Sequence, residues 1–260
     1  LLGGIQAQIL PAGVDAAVLD AGTGLINKRQ QVLFLSRLAP HKGLHDLIQA
    51  MSLLEPRVPL VVSGPGDRGP YIEMAQKLGV PVTFCEYSDP EKVQALRDSA
   101  VLVHPSGHEG FGLPPLEALY LGTPIIVRNI PHNLHLLRQA ACYFDSPQDL
   151  AQLISEVLNG ARGVAEATAW GQQFVRANYT LEVAASRLSG AIHEAIRTFC
   201  GKKMRAHPEN AEAIYDRDHR RNWFFRAQNA DATRARHWRA QHLIQEMNAV
   251  GADDIIDIGS

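Results

Sequence analysis

Short apolar runs alternate with helical patterns along residues 31–160 of this 260-residue chain, and that alternation restricts the fold more than any other feature. The segments between the runs carry apolar residues at helical spacing. Short strand–helix units of this kind predict an α/β fold, a Rossmann-like, doubly wound parallel sheet with helices on both faces. The predicted strands are QVLFLSRL (31–38), PLVVSG (59–64), PVTFCE (81–86), AVLVHP (100–105), TPIIV (123–127) and ACYFD (141–145).

The chain becomes all-helical after the sixth run. Residues 201–210 shift toward charge and contain a proline, which is typical of a linker. Residues 211–260 have the pattern of a helical extension that leads into a second, truncated domain and ends in the strand-like DDIIDIGS. We therefore expect a domain boundary near residue 200 and a chain that is a piece of a longer protein. The predicted helices before the linker occupy residues 146–160, 165–179 and 180–199.

Composition excludes several classes of function. Hydrophobic residues make up 46% of the chain, enough for a buried core, and the formal net charge of -2 does not favour nucleic acid as a partner. Cys85, Cys142 and Cys200 lie far apart without metal-type spacing, which suits a reducing compartment. No apolar run approaches the ~20 residues of a transmembrane helix. These features predict a soluble, cytoplasmic protein.

The segment HEGFGLPPLEALYLGT (108–123) follows the fourth predicted strand, at the sheet edge where α/β proteins bind ligands. Gly110 and Gly112 allow the backbone to approach a ligand closely. Two successive prolines are tolerated only in a first helical turn, so the helix should begin near Leu113. The free N–H groups of such a helix start form a site suited to phosphate.

Two carboxylates flank this helix start. Glu109 precedes it in the loop and Glu117 lies one turn inside the helix, and carboxylates accept hydrogen bonds from vicinal hydroxyls. Arg37 and Lys42, which follow the first strand, could neutralise a diphosphate at the same edge. The turn SGPGD, which begins at Ser63 and includes Gly64, is suited to close backbone approach. This combination predicts a nucleotide-sugar site.

At these segments the sequence resembles the C-terminal domain of family 4 glycosyltransferases of the GT-B fold. The resemblance rests on SRLAPHKGLHDLIQA, VVSGPGD and HEGFGLPPLEALYLGTPIIV, and the spacing from Glu109 to Glu117 matches that family's E-x7-E motif. PAGVD, within residues 1–20, resembles the interdomain hinge. The resemblance covers residues 1–200, which it implies to be a nucleotide-sugar-binding domain.

The resemblance also implies roles for individual residues. Glu109 would be the catalytic residue facing the donor sugar, and Glu117 would bind the nucleotide ribose. Arg37 and Lys42 would bind the donor diphosphate. The remaining implied donor-site residues are Gly64, Gly110, Phe111, Gly112 and Leu113 for the donor phosphates, and Glu86 and Tyr87 for the base.

The implied activity is transfer of a hexose, with retention, from a nucleoside-diphosphate sugar to a hydroxyl of a saccharide or lipid-linked saccharide. The family needs no metal or other cofactor for this transfer. Its N-terminal domain, with the acceptor site, is absent from this sequence, so the chain alone is expected to be inactive. A sugar-nucleotide epimerase or phosphorylase of the same architecture, and a non-catalytic sugar-nucleotide-binding module, are the alternatives.

The histidines near the motif have no convincing ligand spacing, which predicts no metal site. His108 could touch hydroxyls of the donor sugar, whereas His104, His132 and His135 are expected to be loop and surface histidines.

DDIIDIGS resembles the first strand and glycine turn of class I S-adenosylmethionine-dependent methyltransferases, with Asp257 and Gly259 as the matching residues. This resemblance implies S-adenosylmethionine as the ligand of the second domain and a glycosyltransferase–methyltransferase fusion of bacterial surface-polysaccharide synthesis. An unrelated helical extension, or a basic-aromatic surface for nucleic acid or anionic lipid, are the rival interpretations. Peripheral association with the inner face of the membrane stays open.

Overall fold

Six strands form one sheet in a computed structural model of the chain, which describes residues 11–22 and 24–206 and their side chains through residue 195. All neighbouring strands in the sheet are parallel. Each strand overlaps one of the six predicted runs, so the parallel α/β sheet is confirmed. The strands are β1 (Arg29–Leu35), β2 (Leu60–Ser63), β3 (Val82–Cys85), β4 (Ser99–His104), β5 (Ile125–Arg128) and β6 (Cys142–Phe144), in the sheet order β3-β2-β1-β4-β5-β6.

Helices connect and follow the strands, and prolines mark where many of them begin. A proline occupies the first turn of five helices, where its missing N–H is not needed. The described helices are α1 (Ala16–Asp20), α2 (Leu44–Met51), α3 (Gly69–Leu78), α4 (Asp89–Asp98), α5 (Leu113–Tyr120), α6 (Pro131–Leu137), α7 (Pro147–Leu158), α8 (Arg162–Asn178) and α9 (Leu181–Ala206), with short 3-10 helices at Pro40–Lys42 and Arg138–Ala140.

Hydrophobic side chains pack on both faces of the sheet because successive strand residues point to opposite faces. In β1, Val32 and Phe34 belong to one core cluster, which also contains buried residues of α2, α3 and α7. Leu33 and Leu35 belong to a second cluster, with buried residues of α1, α4, α5 and α6. The sheet is therefore doubly covered, as predicted for a doubly wound fold.

The part of the predicted hinge segment that the structure describes pairs with the residues before α9. Val14 accepts a hydrogen bond from the Leu181 N–H at 2.9 Å, and its own N–H donates to the Tyr179 carbonyl at 2.7 Å. A Cβ on Gly13 would lie 2.3 Å from the Thr180 carbonyl oxygen, so only glycine allows this close approach. Residues near the start and the end of the unit Pro11–Ala184 thus lie beside each other.

The described residues divide between two units, Pro11–Ala184 and a second unit that contains residues 185–206. Helix α9 continues through Ala206, so residues 201–206 are helical where the sequence predicted a linker. The reason is that Lys, Met and Arg are good helix formers and one interior glycine, Gly201, costs only about 1 kcal/mol. The domain boundary near residue 200 stays a prediction, and the expectations for Asp257 and Gly259 lie outside the described residues.

Candidate functional site

The direction of strand order reverses between β1 and β4, and the loops that follow these two strands lie against each other. The Gly107 N–H donates to the His41 carbonyl at 2.9 Å. Gly43 has a φ of +73°, and a Cβ added there would lie 2.2 Å from the Pro105 carbonyl oxygen. In open α/β sheets this reversal point is where ligands bind.

Three side chains meet at this point, and we call Lys42, His104 and Glu109 the switch-point cluster. The Lys42 Nζ lies 2.6 Å from Oε1 of Glu109, and the side chains are only 10% and 9% exposed. The His104 Nε2 lies 2.8 Å from the same oxygen. The sequence predicted that Lys42 and Glu109 share one edge of the sheet, and the structure brings them into direct contact.

The expectation for His104 is wrong. This residue ends β4 and is 2% exposed, so it is a buried strand residue rather than a surface histidine. The run AVLVHP predicts a strand through residue 105, so His104 belongs to the carboxyl end of a predicted strand. The signal was present, because a histidine at the carboxyl end of a buried parallel strand lies where ligands bind.

Glu109 is held in its ionised form. Burial by itself would raise the pKa of this carboxyl group, but hydrogen bonds from His104 and Lys42, with a smaller contribution from Ser106, outweigh burial and lower the pKa to about 2. Ser106 is fully buried, and its hydroxyl donates to the His108 carbonyl at 2.8 Å. A carboxylate with this pKa accepts hydrogen bonds at neutral pH and has no proton to donate.

Helix α5 begins beside Glu109, as the glycines and prolines predicted. Gly112, the residue before the helix, has a φ of +85° and no side chain caps the first N–H groups. Nothing lies within 4 Å of a Cβ built on Gly110, so this stretch is open. The Phe111 ring packs toward Tyr179, with a centroid distance of 6.1 Å, and Leu113 is 39% exposed. The Phe111 side chain thus packs partly against the core.

Glu117 forms an ion pair that the sequence did not predict. Its Oε1 lies 3.0 Å from the Nζ of Lys92 on α4, and the two side chains are 15% and 28% exposed. Lys92 is 25 residues away in the chain, and the sequence pattern of α4 contains no signal for this contact. The pair holds the Glu117 carboxylate at the first turns of α5.

Arg37 and Gly64 lie at the ends of β1 and β2. Arg37 is exposed, and its side chain makes no hydrogen bond or ion pair with any residue that the structure describes. Gly64 has a φ of +150°, and a Cβ there would meet the Ser36 carbonyl oxygen at 1.9 Å. The turn after β2 therefore packs directly against the backbone of the residue before Arg37, and a close approach of this turn to a ligand stays a prediction.

The two residues predicted to bind the base lie after β3, at the far end of the same edge. β3 is three strand spacings from β4, about 14 Å at the usual spacing between strands. The Glu86 side chain is 82% exposed and accepts a hydrogen bond from Arg68 at 2.9 Å. Tyr87 is half-buried, and its pKa is raised, first by burial and then by a hydrogen bond with Cys85. The structure does not bring these two residues into the switch-point cluster.

The remaining histidines differ from one another. His132 Nε2 lies 3.0 Å from the Phe111 carbonyl, to which it donates, so it supports the loop before α5. His108 and His135 are exposed, as predicted for His135.

A family model described as "Glycosyl transferases group 1" matches residues 18–173, more than half of the chain. The chain belongs to this glycosyltransferase family. The match contains the strands of the sheet and every residue of the switch-point cluster.

Three curated relatives are similar to this chain. An uncharacterized glycosyltransferase of Methanocaldococcus jannaschii is 32% identical over 146 residues, which is 52% of this chain and 37% of the relative. The D-inositol 3-phosphate glycosyltransferase of Rhodococcus jostii is 35% identical, covering 45% and 29%. The O-antigen biosynthesis glycosyltransferase WclY of Escherichia coli is 34% identical, covering 46% and 35%. The chain thus spans about a third of the length of the curated relatives it matches.

Two solved structures share the fold. Sucrose-phosphate synthase from Thermosynechococcus elongatus has a TM-score of 0.63 at 20% identity, over 74% of this chain and 53% of that protein. Anabaena HepE in complex with UDP-glucose has a TM-score of 0.59 at 20% identity, over 64% and 49%. The sheet of this chain is therefore similar to that of GT-B enzymes, as the sequence predicted.

Two further properties concern the part of the chain that the structure describes. Within it, no group of three or more His, Cys, Asp or Glu side chains is placed to hold a metal ion, and the absence of a metal from the reaction stays a prediction. Within the same residues, no helix has both the length and the apolar character to cross a membrane.

Proposed function

We propose that this chain is the donor-binding part of a retaining glycosyltransferase that moves a hexose from a nucleoside-diphosphate sugar to a hydroxyl of a saccharide or lipid-linked saccharide. The observation that carries the proposal is the contact between Lys42 and the ionised Glu109, 2.6 Å apart at the reversal point of the sheet. A cation, a carboxylate and an uncapped helix start at one ligand-binding edge are the groups that a nucleotide-sugar needs.

Each group has a distinct part in the proposed chemistry. Lys42, Arg37 and the backbone N–H groups around Phe111, Gly112 and Leu113 would bind the diphosphate and neutralise the charge that develops on it as the sugar leaves. Glu109 would accept hydrogen bonds from the sugar and stabilise positive charge at the anomeric carbon. Glu117 would accept hydrogen bonds from both hydroxyls of the ribose. None of these steps needs a metal.

The relatives support the class of substrate. HepE was solved with UDP-glucose bound, and the relative from Escherichia coli acts in O-antigen biosynthesis. We propose that this protein likewise uses a nucleoside-diphosphate hexose for a surface polysaccharide, in the cytoplasm at the inner face of the membrane.

For residues 211–260 we propose the start of a methyltransferase domain, with Asp257 and Gly259 at the S-adenosylmethionine site. Binding of S-adenosylmethionine by the full-length protein tests this proposal.

Calorimetry on the full-length protein tests the donor site. We expect UDP or GDP to bind, and alanine at Arg37 or Glu117 to weaken binding by about 1–3 kcal/mol each, the scale of a hydrogen bond to a charged group. Unchanged affinity in both variants would contradict the assignment of the donor site.

Proton NMR of the product with a saccharide acceptor tests the reaction: the anomeric configuration of the donor should be kept. Conversion of the sugar nucleotide into an epimer would instead favour the epimerase alternative.

Lys92 offers a separate prediction about the ribose end. Methionine at this position keeps the length of the side chain but removes the cation 3.0 Å from Glu117, so the carboxylate loses its fixed orientation. We expect nucleoside diphosphate to bind about 3–10-fold more weakly, as for a partly exposed ion pair of roughly 1 kcal/mol. Lys77→Met is the matched control, because Lys77 is exposed on α3 and away from this edge. Equal losses in both variants would contradict the role of Lys92.

A further inference from the structure

His104 is a buried polar group for which the proposed donor chemistry has no role. Its side chain is 3% exposed and its Nε2 lies 2.8 Å from Oε1 of Glu109. An ionised carboxylate only accepts hydrogen bonds, so this ring nitrogen carries the hydrogen and donates it. His104 therefore adds a second donor to the carboxylate that already contacts Lys42.

Both donors end on the same oxygen of Glu109. Lys42 Nζ and His104 Nε2 contact Oε1, and neither bond reaches Oε2. Two hydrogen bonds to one oxygen hold that oxygen in place, and the second oxygen keeps its capacity to accept hydrogen bonds from a ligand. The two hydrogen bonds together thus orient Glu109 before any sugar nucleotide is bound.

The two donors differ in stiffness. His104 ends β4, and its backbone pairs in parallel register with Val127 of β5, so the ring is held by the sheet and by burial. Lys42 ends a short 3-10 helix in the loop after β1 and carries its charge on a flexible four-carbon stem. His104 is the rigid partner, and Lys42 is the adaptable one.

The proposed function makes competing demands on Lys42. A diphosphate brings at least two negative charges to the edge where Lys42 is expected to neutralise them, so the ammonium must turn partly away from Glu109. The carboxylate, 9% exposed, would then lie near an anion with less compensation. A hydrogen-bond donor that the phosphates do not attract is needed to keep the carboxylate in place, and a rigid histidine N–H meets that need.

We propose that His104 is a positioning residue that holds Oε1 of Glu109, so that Oε2 faces the donor sugar while Lys42 binds the diphosphate. This inference rests on the proposed function of the donor site. It predicts that His104 affects recognition of the sugar and has no effect on recognition of the nucleoside diphosphate. A histidine that only fills the core would affect both through stability, or neither.

Titrations of the full-length protein with two matched probe pairs, UDP with UDP-glucose and GDP with GDP-mannose, test the proposal on whichever pair binds. In His104→Leu, which keeps an apolar side chain of similar bulk, we expect the diphosphate affinity to stay within twofold. The affinity for the sugar nucleotide relative to the diphosphate should fall about tenfold, the scale of one hydrogen bond to a charged group. His104→Gln, which places an amide N–H at a similar reach, should restore most of that ratio.

A double-mutant cycle separates positioning from stability. In a Glu109→Ala background, adding His104→Leu should change the affinity ratio less than twofold, because the group to be positioned is gone. His104→Asn, whose amide is too short to reach Oε1, gives the same test if the leucine variant does not fold. An unchanged ratio in the single variant, a loss that persists without Glu109, or no restoration by glutamine overturns the role of His104. If the wild-type protein binds neither pair, the donor site itself fails and this role with it.

Discussion

Replacing Gly43 with alanine is expected to lower the free energy of unfolding by about 3–5 kcal/mol, near the upper end for a single substitution. Two penalties combine. The residue has a φ of +73°, a left-handed conformation that costs an L-residue about 1–2 kcal/mol. The new Cβ would also lie 2.2 Å from the Pro105 carbonyl oxygen, so the loops after β1 and β4 would have to separate. Urea denaturation measures the loss.

Gly79 provides a matched control for this substitution. It ends α3 with a similar φ of +65°, but nothing lies within 4 Å of an added Cβ. Gly79→Ala should therefore cost only the left-handed term, about 1–2 kcal/mol. Similar losses in the two variants would show that the loops can move apart freely. The contact between Lys42 and Glu109 would then not depend on their packing.

The second large effect is expected at Lys42. Lys42→Met should weaken binding of UDP or GDP by about 2–3 kcal/mol, or roughly 30–150-fold, measured by calorimetry on the full-length protein. The substitution removes a cation from the diphosphate site. It also leaves the buried Glu109 carboxylate close to the incoming phosphates with one hydrogen-bond donor fewer.

Two controls accompany Lys42→Met. Lys42→Arg keeps the charge but replaces a compact ammonium with a planar fork, so its binding should be intermediate. Lys77→Met removes a similar charge from an exposed site on α3 and should bind as the wild type does. If the methionine variant at residue 42 kept wild-type affinity, the diphosphate would have to bind elsewhere on the sheet edge.

The elements of the fold could be predicted from local patterns. Runs of apolar residues bounded by Gly, Pro or Asp predicted all six strands, and prolines in the first turn predicted the start of α5. Residues 201–206, where the sequence predicted a linker, continue helix α9 because a charged, glycine-containing stretch can also extend a helix. The pattern there does not distinguish the two states.

The site could be predicted only in part. The shared edge of Lys42 and Glu109 could be predicted because the carboxyl ends of parallel strands lie together, and the structure places the two side chains in contact. The binding roles of Lys42, Glu109 and Glu117 stay predictions. The partner of Glu117 was missed, since Lys92 lies on a neighbouring helix and its sequence position is typical of a solvated helix face. His104 was assigned to the surface although it follows four apolar residues, because its hydrogen-bond partner lies in the next loop.

The sequence by itself determined the alternation of strands and helices, the helix start beside Glu109 and the membership of a glycosyltransferase family. These depend on periodicity, turn chemistry and motifs that span a few residues. Only the tertiary structure decided the strand order, the 2.6 Å contact across 67 residues between Lys42 and Glu109, and the buried position of His104. The physical reason is that such contacts depend on which strands become neighbours and how closely their loops pack, and local spacing contains neither.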